Sequence, residues 1–83
     1  MSIRKKIIDI DDQILLTDGF DQALVGVCHQ FGRPPVAVYD YEKVIKMLMK
    51  EGMTLAEAED FWHYNQVGAG MGEYTPVFFQ QIT

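Results

Sequence analysis

At 83 residues the chain sits near the lower limit for a domain that folds around its own core, so one domain spanning 1–83 is expected. Forty-eight per cent of its residues are hydrophobic, a globular composition that excludes disorder as the main description. Twelve acidic against seven basic residues give a net charge of -5, which disfavours binding that neutralises phosphates or anionic lipid, so neither nucleic acid nor a membrane is an expected partner.

The charge is unevenly spread. Arg4, Lys5 and Lys6 put three of the seven basic residues into a basic N-terminal arm over 1–6, and from Glu51 onward there is no Lys or Arg. The single cysteine, Cys28, cannot close an internal disulfide, and the first residues lack the apolar stretch of a secretory signal. A reducing cytoplasm is the expected compartment. The longest apolar runs, such as 23–28, fall far short of the roughly 20 residues of a membrane span.

In chain order, residues 1–20 place Ile7, Ile8, Ile10, Ile14, Leu15 and Leu16 among aspartates and close on Asp18-Gly19, which predicts a short strand or irregular lead-in ending in a turn. Residues 23–31 and 36–39 are β-rich runs around the breaker cluster Gly32-Arg33-Pro34-Pro35, so a hairpin is the first choice. A helix over 20–31 also fits, because Phe20, Leu24, Val27 and Phe31 recur at near-helical spacing.

The next segment is clearer. Tyr41, Val44, Ile45 and Leu48 form an apolar stripe and Glu42, Lys43, Lys46 and Lys50 a polar one, predicting an amphipathic helix. Asp40 is its N-cap, Glu42 and Lys46 are spaced to pair, and Gly52 is ready to follow its end. Thr54 and Glu57 then match a capping box, so a second helix starts at Leu55 and the two make an αα-hairpin. On that helix Leu55, Ala58, Phe61, Trp62 and Asn65 share an inner face, Glu57, Asp60 and Tyr64 lie opposite, and Glu59 and His63 run along an edge. Gly68, Gly70 and Gly72 then predict a Gly-rich loop, and 77–79 a closing strand. The fold class that follows is α+β: a small antiparallel sheet, made of the hairpin and the C-terminal strand, packed against the αα-hairpin.

No catalytic signature emerges. The Gly-rich loop runs from helix to strand, the reverse of a dinucleotide or phosphate loop, and no Lys or Arg follows it. Cys28 and His29 are neighbours on a strand and point to opposite faces, so they form no nucleophilic pair and Cys28 reads as a buried structural thiol. Glu59 and His63 have ligand spacing on one helix, yet two ligands make no metal site. Serine occurs only at position 2, and the carboxylate clusters read as solvated turns and faces. Neither a cofactor nor a metal is expected.

The stretch 52–61, followed by Asn65, Gly68-Ala69, Gly72-Glu73 and Thr75-Pro76-Val77-Phe78, resembles a recurrent group of short tailed-phage and prophage proteins. These carry a Gly-Met-Ser/Thr-x-x-Glu-Ala helix start, then Phe-Asn-x-x-Gly-Ala and Gly-Glu-x-Thr-Pro-x-Phe. The resemblance continues upstream through Asp18 to Asp21, Leu24 to Val27, Pro34-Pro35 and Tyr39 to Tyr41, leaving out 1–16 and covering about three quarters of the chain. Met71 departs from the group, which usually has an aromatic or aliphatic residue there. The group brings no catalytic residues; it implies a phage origin and an accessory, non-virion role in the bacterial cytoplasm.

The expected function is therefore non-enzymatic: protein–protein interaction with a host protein bearing a basic surface, for takeover or to block a defence. The candidate surface is Glu57, Asp60, His63, Tyr64, Gly70, Met71 and Glu73, with Asn65 tethering the loop. The alternatives are a ligand-binding or catalytic pocket under the loop, using Asn65, Glu73, His63 and Tyr64, and a homo-oligomer burying Met47, Met49 and Phe78 or Phe79.

Overall fold

The fold is taken from a computed structural model, which describes residues 3–17, 19–65 and 72–82, without the side chains of Tyr64 and Asn65. The first element corrects the sequence reading: Ile3–Ile10 is a helix, α1, rather than a strand or lead-in. Ile3 and Ile7 lie one turn apart, Ile7 is buried in the core, and Lys5 donates to Asp9 across the next turn at 3.0 Å. Isoleucine density suggested a strand, but tertiary burial of one helical stripe decided the outcome. The helix ends where Asp11 accepts from the Gln13 amide at 2.9 Å, an Asx turn. Arg4 ties the helix to the segment before the sheet by an ion pair with Asp21 at 2.9 Å.

A 3-10 turn at Asp21–Ala23 leads into the hairpin, which forms as expected from strands β1 (Leu24–Gln30) and β2 (Arg33–Asp40). Its turn is only Phe31-Gly32, with Gly32 at φ 74, a left-handed position that a side chain would strain. Pro34 and Pro35, read as a breaker, are inside β2. The ladder pairs Cys28 with Val36 and Gln30 with Arg33, so β2 carries one extra residue at the two prolines, where the missing N–H groups cost no regular pairing. Cys28 is half-buried, not buried as expected.

Asp40 caps helix α2 (Tyr41–Lys50) by accepting from the Lys43 amide at 3.2 Å, and Gly52 follows its end at φ 107. Helix α3 (Leu55–Asn65) starts with both capping-box bonds made: the Thr54 amide donates to Glu57 at 2.9 Å and the Glu57 amide to the Thr54 hydroxyl at 3.2 Å. A 3-10 turn at Gly72–Tyr74 precedes strand β3 (Val77–Phe79), the expected closing strand. It pairs parallel to β2, giving the order β1-β2-β3, so the sheet is mixed rather than wholly antiparallel. The intervening helices form the crossover a parallel neighbour requires, and they return the chain so that β3 runs beside the last three residues of β2, Val38 to Asp40.

The α+β class stands. Ala37 and Tyr39 of β2 share one buried cluster with Ile7 and Ile14, with Val44, Ile45 and Leu48 of α2, and with Ala58 and Trp62 of α3. Tyr39 is fully buried, and its hydroxyl is held by the Thr17 backbone, whose amide donates to it at 2.8 Å. Burial pushes the Tyr39 phenol above its usual pKa. Among the described residues no helix is long and apolar enough to cross a membrane.

Candidate interaction surface

α3 presents far more of itself to solvent than its wheel implied. Ala58 and Trp62 are buried, but Leu55 is 54% and Phe61 38% exposed, so among the described side chains the inner face is a single i, i+4 stripe. Leu55 sits at the first position, before the helix meets the core, and Phe61 is turned about 100° from Trp62. Glu57, Glu59, Asp60 and His63 are all exposed along the rest of the helix.

The sequence-derived surface residues separate into two places. Glu57 and Asp60 share the outer side of α3, and Glu57 is also committed to its capping box: the Thr54 amide, then the Thr54 hydroxyl, hold its carboxyl below the usual value. Glu73 lies on the 3-10 turn beside Tyr74, whose hydroxyl donates to Gln13 at 2.6 Å, and burial, then Asp11 and Glu73, raise the Tyr74 phenol. Gly70 and Met71, the Gly-rich loop around them, and the side chains of Tyr64 and Asn65 lie outside the described residues.

No acid of 51–83 forms an ion pair among the described residues. Glu59 instead accepts the Tyr41 hydroxyl at 3.3 Å, and burial followed by the Glu59 charge raises the Tyr41 phenol. Beside this contact Tyr41, Trp62 and Phe78 form an aromatic row that, with His63, Thr75 and Pro76, lines an open depression of about 500 Å3. No group of three or more His, Cys, Asp or Glu converges among the described residues.

The polar stripe expected on α2, Glu42, Lys43, Lys46 and Lys50, is exposed. Lys43, Lys46 and Lys50 form a row on the outer side of α2, lining a hollow with Gln22 and Met47, and none pairs with an acid among the described residues. The Glu42–Lys46 pair expected from spacing is not made among the described residues. A second groove, of about 340 Å3, runs between the two helices, where Met49 and Leu55 are exposed among Glu42, Lys46 and Glu59. α2 thus exposes Lys43, Lys46 and Lys50 together with Glu42, and α3 exposes Glu57, Glu59 and Asp60. No family model, curated protein or solved structure matches the chain.

Proposed function

We propose that the chain is a small non-enzymatic interaction protein whose acidic α3 face engages a basic surface on a partner protein. The carrying observation is that Glu57, Glu59 and Asp60 are exposed on one helix with no cation paired to them among the described residues, next to the exposed Leu55. Uncompensated charge of one sign costs folding stability and suits steering of an oppositely charged partner. The motif resemblance adds a phage origin and a host protein in the bacterial cytoplasm as the partner, acting in takeover or against a defence. Capture from bacterial lysate by the immobilised chain at low and high salt tests this. A bound protein lost at high salt supports the proposal, and the absence of any salt-sensitive partner contradicts it.

A second reading, a small-ligand pocket, is favoured by the depression along Tyr41, Trp62 and Phe78, whose volume falls in the range of ligand sites. Tyr41 and His63 are the ionisable side chains that line it among the described residues, and binding is the activity this reading supplies.

A further inference from the structure

Seven basic residues stand against twelve acidic ones in this chain, yet three of the seven line one small hollow. Lys43, Lys46 and Lys50 are spaced i, i+3 and i+7 on α2, which sets them along one side of the helix over about 10 Å. The 3-10 turn at Asp21–Ala23 packs against the same helix, its Ala23 buried in the cluster that holds Val44 and Leu48. Gln22 of that turn thereby joins the lysines and Met47 in lining a hollow of about 320 Å3. No acid lines it among the described residues: Glu42 and Glu51, which flank the row in sequence, lie outside the lining, and Asp21 is held by Arg4 at 2.9 Å. Like charges on neighbouring turns of one helix repel, and no ion pair among the described residues offsets that cost here.

We propose that this hollow binds the linked phosphoryl groups of a small soluble diphosphate or triphosphate. Each lysine ammonium offers hydrogen-bond donors and no acceptor, and the Gln22 amide adds a further donor, so the complement is an acceptor-rich anion. A carboxylate presents a flat pair of oxygens that suits the fork of arginine, whereas separate ammonium groups act as point charges and suit phosphoryl oxygens. A row about 10 Å long is more than one phosphate spans, and linked phosphoryl groups extend along it. Charge also limits the size of the ligand. Outside the row the chain carries four basic and twelve acidic residues, and at physiological ionic strength their field reaches about 8 Å. A long polyanion would run beyond the lysines into that repulsion, while a small one stays within reach of the row. The hollow shares no lining residue with the acidic face of α3, so the two surfaces stand or fall separately.

Titration calorimetry of the purified chain with sodium tripolyphosphate at low salt tests the proposal. Saturable binding of one tripolyphosphate per chain is expected, weakening as salt is added. Lys46→Gln, in the middle of the row, should weaken binding by about tenfold. Arg33→Gln makes the same change in net charge at the hairpin turn, at the far end of β2 from α2, and should leave binding within about twofold. Both positions are exposed, and circular dichroism checks that each variant is folded. Sodium citrate, a polycarboxylate, should bind about tenfold more weakly than tripolyphosphate. No saturable binding, equal effects of the two variants, or citrate binding as tight as tripolyphosphate overturns the proposal. Tighter binding to duplex DNA, or to vesicles of equal phosphatidylserine and phosphatidylcholine, also overturns it, by making the row part of an extended surface.

Discussion

The rings of Trp62 and Phe78 meet edge to face with centroids 3.8 Å apart, and Phe78 stacks on Tyr39 at 5.3 Å. Through this contact α3 and β3 hold each other: a parallel strand of three residues is pinned by the one tryptophan. Phe78→Ala should therefore cost about 3 kcal/mol, read by urea denaturation, and shift the fluorescence of Trp62. A cost below about 1 kcal/mol would show that β3 contributes little to the core.

The Thr17 amide holds the Tyr39 hydroxyl, and the Thr17 hydroxyl is buried without a hydrogen-bond partner in range among the described residues. Thr17→Val keeps the backbone contact and removes the orphaned group, so thermal denaturation should show a gain of about 1 kcal/mol. A loss of that size would mean that the hydroxyl is satisfied in solution.

The capping box makes a paired prediction. Thr54→Ala should cost about 1 kcal/mol by removing the acceptor at the start of α3. Because Glu57 is held below its usual pKa, its contribution is present above the ordinary carboxylate range and is lost as pH falls through the lowered value. Glu57→Gln should therefore flatten the acid side of the stability–pH curve, and an unchanged acid limb would contradict the bond.

At the alkaline end the sign reverses. Burial raises the Tyr39 phenol, so the folded state holds that proton more tightly than the unfolded chain does. Stability is full below the ordinary tyrosine pKa and falls as pH rises through the raised value. Tyr39→Phe should remove part of that alkaline loss while surrendering the contact to Thr17, and an identical alkaline limb would contradict the assignment.

What the sequence disclosed followed how local the cause was. Asp40, Gly52, Thr54 and Glu57 act within one turn of helix, and each is found where its residue type placed it. The hairpin was legible too, although Pro34 and Pro35 entered the strand because a ladder irregularity accommodates them. Three outcomes were set by tertiary partners and stayed hidden: helix α1, the parallel direction of β3, and the exposure of Leu55 and Phe61. On the candidate surface, the acids of α3 were visible from composition. The lysines of α2 were visible as one polar stripe, and only the geometry shows the expected Glu42–Lys46 pair unmade among the described residues.

Recognition rather than folding is the role proposed for the acidic face of α3. Its most direct test is Asp60→Lys, with stability and partner capture measured on the same preparation. Asp60 is exposed and without an ion pair among the described residues, so stability within about 0.5 kcal/mol of the original is expected, together with loss of salt-sensitive capture. A folded variant that captures its partner as well as the original chain, or one destabilised by more than about 1 kcal/mol, would contradict it.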